Sequence, residues 1–215
     1  MSFWEFLTTR HQQLLTDACG HAGVVLPCVV VATLVGAAVG VVAHRGAWAA
    51  RPAVLGTSTV LAVPSLAVIG LLVPLVGTGV PPTVITLILF GLLPVARNTV
   101  VGLRGIDPAL VETARGIGMS RSTRLLRVEL PLVWPPVLTG VRVSTRMLMG
   151  ITAIAAYASG PGLGNEIFRG LASPDSGDAL DQVLAGTLGI VVLALLFDAV
   201  YVLIGRLTIS RGIRV

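Results

Sequence analysis

Five apolar stretches, each about as long as a lipid bilayer is thick, set the main constraint on what this chain can fold into. A helix needs about 20 apolar residues to cross the hydrocarbon core of a membrane. The composition agrees, because only 12% of the residues are charged and the mean hydropathy is +0.92. The sequence therefore predicts an all-α membrane protein with about five transmembrane helices, at about residues 24–43, 53–76, 81–102, 135–157 and 183–205.

The segments outside these spans divide the chain into two parts. Residues 1–23 carry large apolar side chains at loosely helical spacing, and Trp4 suits a membrane interface, so we predict an amphipathic surface helix there. A loosely packed terminus is the alternative. The rest of the chain, residues 24–215, is predicted to form one transmembrane domain that includes an external loop at about 158–182.

Glycine and proline mark special points inside the first two spans. Gly36 and Gly40 are spaced so that another helix can pack closely against them. Pro64 and Pro74 interrupt the second span, where each proline frees a backbone carbonyl that a neighbour or water must satisfy. The prolines indicate either a kink for packing or a break that lines a pathway.

The longest polar break between the spans runs from Asp107 to Pro131. Asp107 followed by Pro108 is typical of a helix start, and Ser120 is placed to cap a second helix. Pro131 is expected to end that second helix, because proline disrupts a helix interior. We therefore predict two short helices, joined by a flexible elbow, at a membrane surface.

The same stretch, which we call the 107–131 loop, also carries a motif. Glu112-Thr113-Ala114, then Gly118, then Val128-Glu129-Leu130-Pro131 are similar in identity and spacing to the EAA loop of ABC importer permeases. The resemblance implies the type I ABC importer permease fold, with this loop as a cytoplasmic pair of coupling helices that contacts the ATPase subunits. The residues that the resemblance assigns to ATPase coupling are Glu112, Thr113, Ala114, Arg115, Gly116, Gly118, Met119, Leu130 and Pro131.

The likeness extends to most of the chain and is strongest for the permeases of osmoprotectant importers. It includes the stretches 63–67, 93–99, 114–119 and 155–164. It implies ATP-driven import of a quaternary amine, such as glycine betaine, carnitine, choline or proline betaine. Methionine permeases share the core and the loop, so methionine or another amino acid stays an alternative cargo. A secondary carrier that works without ATP is a more remote alternative, because such a protein has no reason to carry the loop.

The composition of the basic residues bears on partners and cofactors. All fifteen are arginine, whereas a Walker A phosphate-binding loop needs a lysine. We therefore predict a transport subunit that is not an enzyme, with ATP and Mg²⁺ held by a separate ATPase subunit. No cofactor or metal is expected in this chain. The resemblance implies cytoplasmic ATPase subunits, an extracytoplasmic solute-binding protein and a second permease chain, identical or related.

The distribution of arginine orients the chain. Two arginines, Arg10 and Arg169, lie on one side of the predicted bundle. The positive-inside rule places the more basic side in the cytoplasm, so we predict a multi-pass protein of the cell membrane with the N-terminus outside and the loop and C-terminus inside. The lipid bilayer, and not nucleic acid, then accounts for the net charge of +5. The arginines on the more basic side are Arg45, Arg51, Arg104, Arg115, Arg121, Arg124, Arg127, Arg206, Arg211 and Arg214.

Three charged residues fall inside predicted spans. Arg142 and Arg146 are one helical turn apart in the fourth span, and Asp198 lies in the fifth. Charges inside a membrane are usually paired, so our hypothesis is an ion pair that ties the two spans together. The alternative is that the arginine side chains reach out to the lipid headgroups.

Candidates for the substrate pathway are the polar or small residues near the middle of the membrane, namely Ser65, Thr86, Thr152 and Tyr157. The face of Tyr157 is able to attract a quaternary ammonium group by a cation–π interaction. An ordinary role for Tyr157 as an anchor at the membrane interface is the alternative.

Overall fold

In the computed structural model, residues 2–44 and 63–209 are described, and all of their regular structure is helical. The helices are α1 (Phe3–Ala43), α2 (Ser65–Val76), α3 (Val80–Arg104), α4 (Pro108–Gly116), α5 (Arg121–Arg124), α6 (Leu130–Ala155), α7 (Gly164–Ala172) and α8 (Ala179–Thr208). This confirms the predicted all-α class. The first part of the predicted second span, 53–62, lies outside the described residues, as do Arg45, Arg51, Arg211 and Arg214.

Four helical segments in the described part of the chain are long and apolar enough to cross a membrane. They are α1, α3, the continuous run Arg121–Ala158 and α8. The apolar helix α2 is shorter, with 12 residues, and it overlaps the second half of the predicted second span. The predicted multi-pass membrane architecture is therefore confirmed.

The N-terminal segment differs from the sequence prediction. Residues 3–43 form one helix of 41 residues, so no break at residue 24 separates a surface helix from the first span. The helix begins in a capping box, in which Ser2 and Glu5 bond each other's backbone. At 1.5 Å per residue it is about 60 Å long, roughly twice the thickness of a bilayer core. Its first half contacts α7 through Gln13 and Glu166, and reaches the start of α8 through Arg10 and Asp178.

Helix α3 occupies the centre of the bundle, between α1 and α6. Both predicted contact glycines face it: a Cβ at Gly36 would lie 2.8 Å from Leu92 O, and one at Gly40 would lie 2.5 Å from Thr99 Cβ. The expectation of close packing at these two glycines is confirmed. On the other side of α3, the Ser144 hydroxyl of α6 donates to Gly91 O at 2.8 Å.

The predicted external loop at 158–182 contains a helix of its own, α7. A tight turn precedes it, in which Gly162 adopts a φ of +115° and a Cβ would lie 2.8 Å from His21 Nδ1. Only glycine fits this position without strain. Asn165 Nδ2 donates to Gly162 O at 2.9 Å and holds the turn closed.

The helices define two ends of the bundle. The α7 end contains the start of α1, the end of α6, α7 and the start of α8, because Arg10 contacts Asp178 and Gln13 contacts Glu166. The loop end contains the end of α1, the end of α3, helices α4 and α5, and the end of α8, where Trp134 Nε1 donates to Thr208 Oγ1 at 2.7 Å. The N-terminus and the 107–131 loop therefore lie at opposite ends.

Candidate functional site

Helix α4 is the central element of the 107–131 loop, and its ends are built as the sequence predicts. The Asp107 carboxylate accepts from Ala109 N at 2.9 Å, which caps the helix start. Pro108 occupies the first turn, where its missing N–H costs nothing. At the far end, Gly118 adopts a φ of +82° and Met119 N donates to Ala114 O at 3.1 Å. This left-handed glycine is the predicted elbow between the two helices.

Helix α4 presents most of the predicted coupling residues to the outside. Ala114 alone is buried in α4, at 4% exposure, and Val111 is half-buried. The exposed members of the predicted set in this region are Glu112, Thr113, Arg115, Gly116 and Gly118, and Met119 is half-buried. Because most of its positions are exposed, the helix has a free face for another protein.

The second short helix continues into the membrane span and does not stop at Pro131. Ser120 caps α5 by accepting from Thr123 N at 3.3 Å. A π-helical turn, Leu125–Glu129, then joins α5 to α6, and Leu130 N bonds to Leu125 O. Pro131 occupies the first turn of α6. The expectation that Pro131 ends the helix was wrong, because the wider turn before it lets the chain accommodate a proline without breaking the helix. Leu130 is half-buried and Pro131 is exposed.

The π-helical turn creates an ion pair that the sequence did not reveal. Arg124 Nε lies 2.6 Å from Glu129 Oε1, and both side chains are nearly buried. Residues five apart in an α-helix point about 140° away from each other, so the spacing gives no signal for this pair. The wider turn brings the two side chains to one face.

A basic cavity of about 400 Å³ lies between α4, α5 and the ends of α1 and α3. Three arginines line it against a single carboxylate, that of Glu129, so its charge is positive overall. A surface of this kind favours carboxylate or phosphate groups of a partner. The lining residues are His44, Leu103, Ile106, Val111, Arg115, Arg121, Arg124 and Glu129.

The structure brings the three charged residues of the spans together. Arg142 donates to both oxygens of Asp198, from Nε at 2.9 Å and from Nη2 at 2.8 Å. Arg146 Nη2 donates to Asp198 Oδ1 at 2.7 Å. One carboxylate on α8 thus holds two guanidinium groups on α6. The arrangement joins the two helices within the bundle.

The candidate pathway residues are not gathered at one surface. Thr86 and Thr152 are fully buried, and their hydroxyls donate to Pro82 O and Leu148 O of their own helices, each at 2.8 Å. Tyr157 is 71% exposed at the end of α6, with its ring centroid 5.8 Å from that of Phe168. Ser65 is half-buried at the start of α2.

A second polar cluster, at the α7 end, was missed by sequence reasoning. It joins Gln13 and Asp17 of α1 to Glu166 and Arg169 of α7, and Arg10 of α1 to Asp178 at the start of α8. The spacing of the α1 residues by three or four positions is a signal that was available, because such residues share a helix face. Within the described ranges 2–44 and 63–209, no group of three or more His, Cys, Asp or Glu side chains is arranged to hold a metal ion.

Comparison with known proteins adds to this geometry. Residues 32–210 match the family described as binding-protein-dependent transport system inner membrane component. The chain is 32% identical to the choline transport system permease protein OpuBB of Bacillus subtilis, over 98% of this chain and 95% of OpuBB. It is 37% identical to the osmoprotectant import permease protein OsmW of Salmonella typhimurium, over 90% of this chain and 91% of OsmW.

The fold has a solved counterpart. A chain of the MetNI methionine ABC transporter, in an inward-facing conformation, superposes with a TM-score of 0.82 and 16% sequence identity, over 94% of this chain and 99% of that one. This confirms the predicted type I ABC importer permease fold. Such a permease is a membrane subunit and not an enzyme, and its ATPase is a separate subunit. The chain belongs to the family of binding-protein-dependent transport system inner membrane components.

Proposed function

We propose that this chain is the transmembrane permease subunit of an ATP-driven importer for osmoprotectant quaternary amines. The cargo class comes from the relatives, whose names include choline and osmoprotectant transport and which align along at least 90% of this chain. The glycine betaine/carnitine/choline permease OpuCB of Bacillus subtilis adds a third case, at 31% identity over 97% of this chain.

The exposed helix α4 is the observation that supports the coupling role best. It stands at the end of the bundle, capped at its start by Asp107, with Ala114 buried and with Glu112 and Arg115 exposed. A rigid short helix of this kind transmits movement as a body. When the ATPase subunits close, α4 moves with them and rocks the spans, which changes the side to which the pathway opens.

The basic cavity beneath α4 supports the same assignment. Arg115 and Arg121 are exposed at its rim and are available to acidic side chains of the ATPase. Arg124 is already engaged by Glu129, so its role is to hold α5 and the π-helical turn in place. The ATP and Mg²⁺ of the transport cycle belong to the partner ATPase.

The arginine distribution supports placing the loop end in the cytoplasm. In the described part of the chain, the α7 end has Arg10 and Arg169, whereas the loop end is richer in arginine. The solute-binding protein then docks on the α7 end, outside the membrane, and the second permease chain, identical or related, lies beside this one in the bilayer. The described arginines of the loop end are Arg104, Arg115, Arg121, Arg124, Arg127 and Arg206.

The test is uptake in a strain that lacks the chain, grown at high osmolarity. Labelled glycine betaine, carnitine, choline, proline and methionine are offered, and the strain is complemented with wild type, Glu112→Arg or Glu112→Asp. We expect loss of quaternary-amine uptake, restored by wild type and by Glu112→Asp but not by Glu112→Arg. Glu112→Asp is the matched control because it keeps an exposed carboxylate at the same position of α4.

A methionine or other amino-acid cargo is the second candidate, because the solved counterpart of the fold is a methionine transporter. Loss of methionine uptake in the same panel, with quaternary-amine uptake unchanged, would support it and overturn the osmoprotectant assignment. Restoration of uptake by Glu112→Arg would overturn the role of α4 whatever the cargo.

A further inference from the structure

The polar cluster at the α7 end joins three helices. Arg10 Nη2 of α1 lies 3.1 Å from Asp178 Oδ2, at the start of α8. Gln13 Nε2 of α1 donates to Glu166 Oε1 of α7 at 2.9 Å. Arg169 Nη1 lies 2.5 Å from Glu166 Oε1 and 3.9 Å from Asp17 Oδ2, so one nitrogen contacts both carboxyls. Glu166 is therefore held from two sides through a single oxygen.

Two carboxyl oxygens in this cluster lack a hydrogen-bond partner. Glu166 is 0% exposed, and its Oε2 atom and Asp17 Oδ2 are both buried without a hydrogen-bond partner. The two carboxyls lie on opposite helices against the same Arg169 nitrogen. Ionised carboxylates only accept hydrogen bonds, so they are unable to satisfy each other in that form. Buried polar atoms without partners are costly.

The charged groups around Glu166 also leave an excess of negative charge. Arg10 from α1 is engaged by Asp178 from α8, which also accepts from Gln182 Nε2 at 3.0 Å. That leaves the single charge of Arg169 opposite two carboxyls. His21 is buried one turn further along α1, under the Gly162 turn. One proton on the two carboxyls makes the group neutral.

We infer that Asp17 and Glu166 form a proton-binding site in which the two carboxyls share one proton. The proton supplies the donor that the unpartnered oxygens lack. Sharing it connects α1 to α7 inside the cluster. Under the orientation proposed above, the site exchanges its proton with the solution outside the cell, and only this last point rests on the proposed function.

The titration of Glu166 sets how stability depends on pH. Burial raises the pKa of the Glu166 carboxyl; the Arg169 guanidinium opposes that rise and the Asp17 carboxyl adds to it. The folded state therefore holds the proton more tightly than the unfolded state does. Stability is accordingly greatest below the ordinary pKa of glutamate and falls as pH rises through the raised pKa of the folded state.

Two measurements on the purified full-length chain in lipid nanodiscs test the site. The first is the infrared C=O band of a protonated carboxyl near neutral pH in wild type, Glu166→Gln and Asp17→Asn. We expect the band in wild type and its loss in either variant, since each amide replaces the shared proton with its own N–H donor. A wild-type protein without the band, or a band unchanged in both variants, would overturn the inference.

The second measurement is the Tm between about pH 5 and pH 8, a window above the ordinary glutamate pKa of about 4.3. We expect the wild-type Tm to fall by about 3 °C or more across it, and the fall to be largely removed in Glu166→Gln. Asp175→Asn, an exposed acid at the same end, should keep the wild-type slope. An equal slope in wild type and Glu166→Gln would overturn the inference. Neither readout depends on cargo or on the ATPase, so failure of the proposed function leaves both interpretable.

Discussion

Two clusters of arginine and carboxyl groups hold this bundle together, and they have opposite ratios. In the spans, one carboxylate, Asp198, faces two guanidinium groups, and both of its oxygens are bonded. At the α7 end, two carboxyls, Asp17 and Glu166, face the single guanidinium of Arg169, and each carboxyl keeps an unpartnered oxygen. The first arrangement is a fixed tie between α6 and α8. The second is complete only when a proton is present.

The comparison shows that the ratio of carboxyl groups to guanidinium groups decides how such a cluster responds to pH. A carboxylate between two cations is stabilised in its ionised form, whereas two neighbouring carboxyls disfavour the ionisation of both. We therefore expect changes to the Asp198 cluster to alter stability at every pH near neutrality. Changes to the α7 cluster are expected to alter how stability depends on pH.

Removing the carboxylate of the first cluster should have the largest effect. In Asp198→Asn, Arg142 and Arg146 keep their charges inside the spans and lose the group that balances them. We expect a loss of about 2 kcal/mol in the free energy of unfolding, below the cost for a fully buried pair because the arginines are part-exposed. The corresponding fall in Tm is about 4–8 °C, measured by thermal unfolding in nanodiscs with Asp175→Asn as the control. A Tm equal to that of wild type would show that the cluster does not stabilise the contact between α6 and α8.

The two arginines of that cluster should differ. Arg142 makes two hydrogen bonds to Asp198 and its side chain is 33% exposed, whereas Arg146 makes one and is 56% exposed. We expect Arg142→Gln to cost about 1 kcal/mol and Arg146→Gln about 0.5 kcal/mol or less, as for a solvated pair. The paired Tm values check this order. The reverse order would mean that the bidentate contact does not carry the interaction.

In the second cluster, the informative change removes Arg169, the guanidinium that faces both Asp17 and Glu166. Because Arg169 opposes the rise in the pKa of Glu166, Arg169→Gln should raise that pKa further. Stability should then fall as pH rises, as it does in wild type, but more steeply. We expect the fall in Tm between about pH 5 and pH 8 to grow by about 3 °C. A slope that becomes flatter in Arg169→Gln would contradict the assignment of two carboxyls to one cation.

Local signals in the sequence predicted the loop well. Asp107 and Ser120 cap helices as expected, and Gly118 forms the elbow. Each of these features depends only on residues within a few positions of it. The predicted end at Pro131 failed because the π-helical turn before it is not encoded by any spacing rule.

Long-range contacts explain what the sequence did not reveal. Gln13 and Glu166 lie 153 residues apart in the chain, and the region of Glu166 was expected to be an external loop. The polar face of α1 suggested an amphipathic surface helix, because nothing local indicated that α7 and α8 would cover it. The Asp198 cluster was easier to anticipate, since a charge inside a membrane requires a partner and few are available.

We expect the ATPase subunit to bind α4, and co-purification tests that binding most directly. The ATPase partner is expressed with wild type, Glu112→Arg or Asp175→Arg, and the amount retained on the tagged permease is measured together with the Tm of each permease. We predict that Glu112→Arg loses the ATPase while its Tm stays at the wild-type value, and that Asp175→Arg retains it. If Glu112→Arg retained the ATPase at the wild-type level, α4 would not be the docking helix.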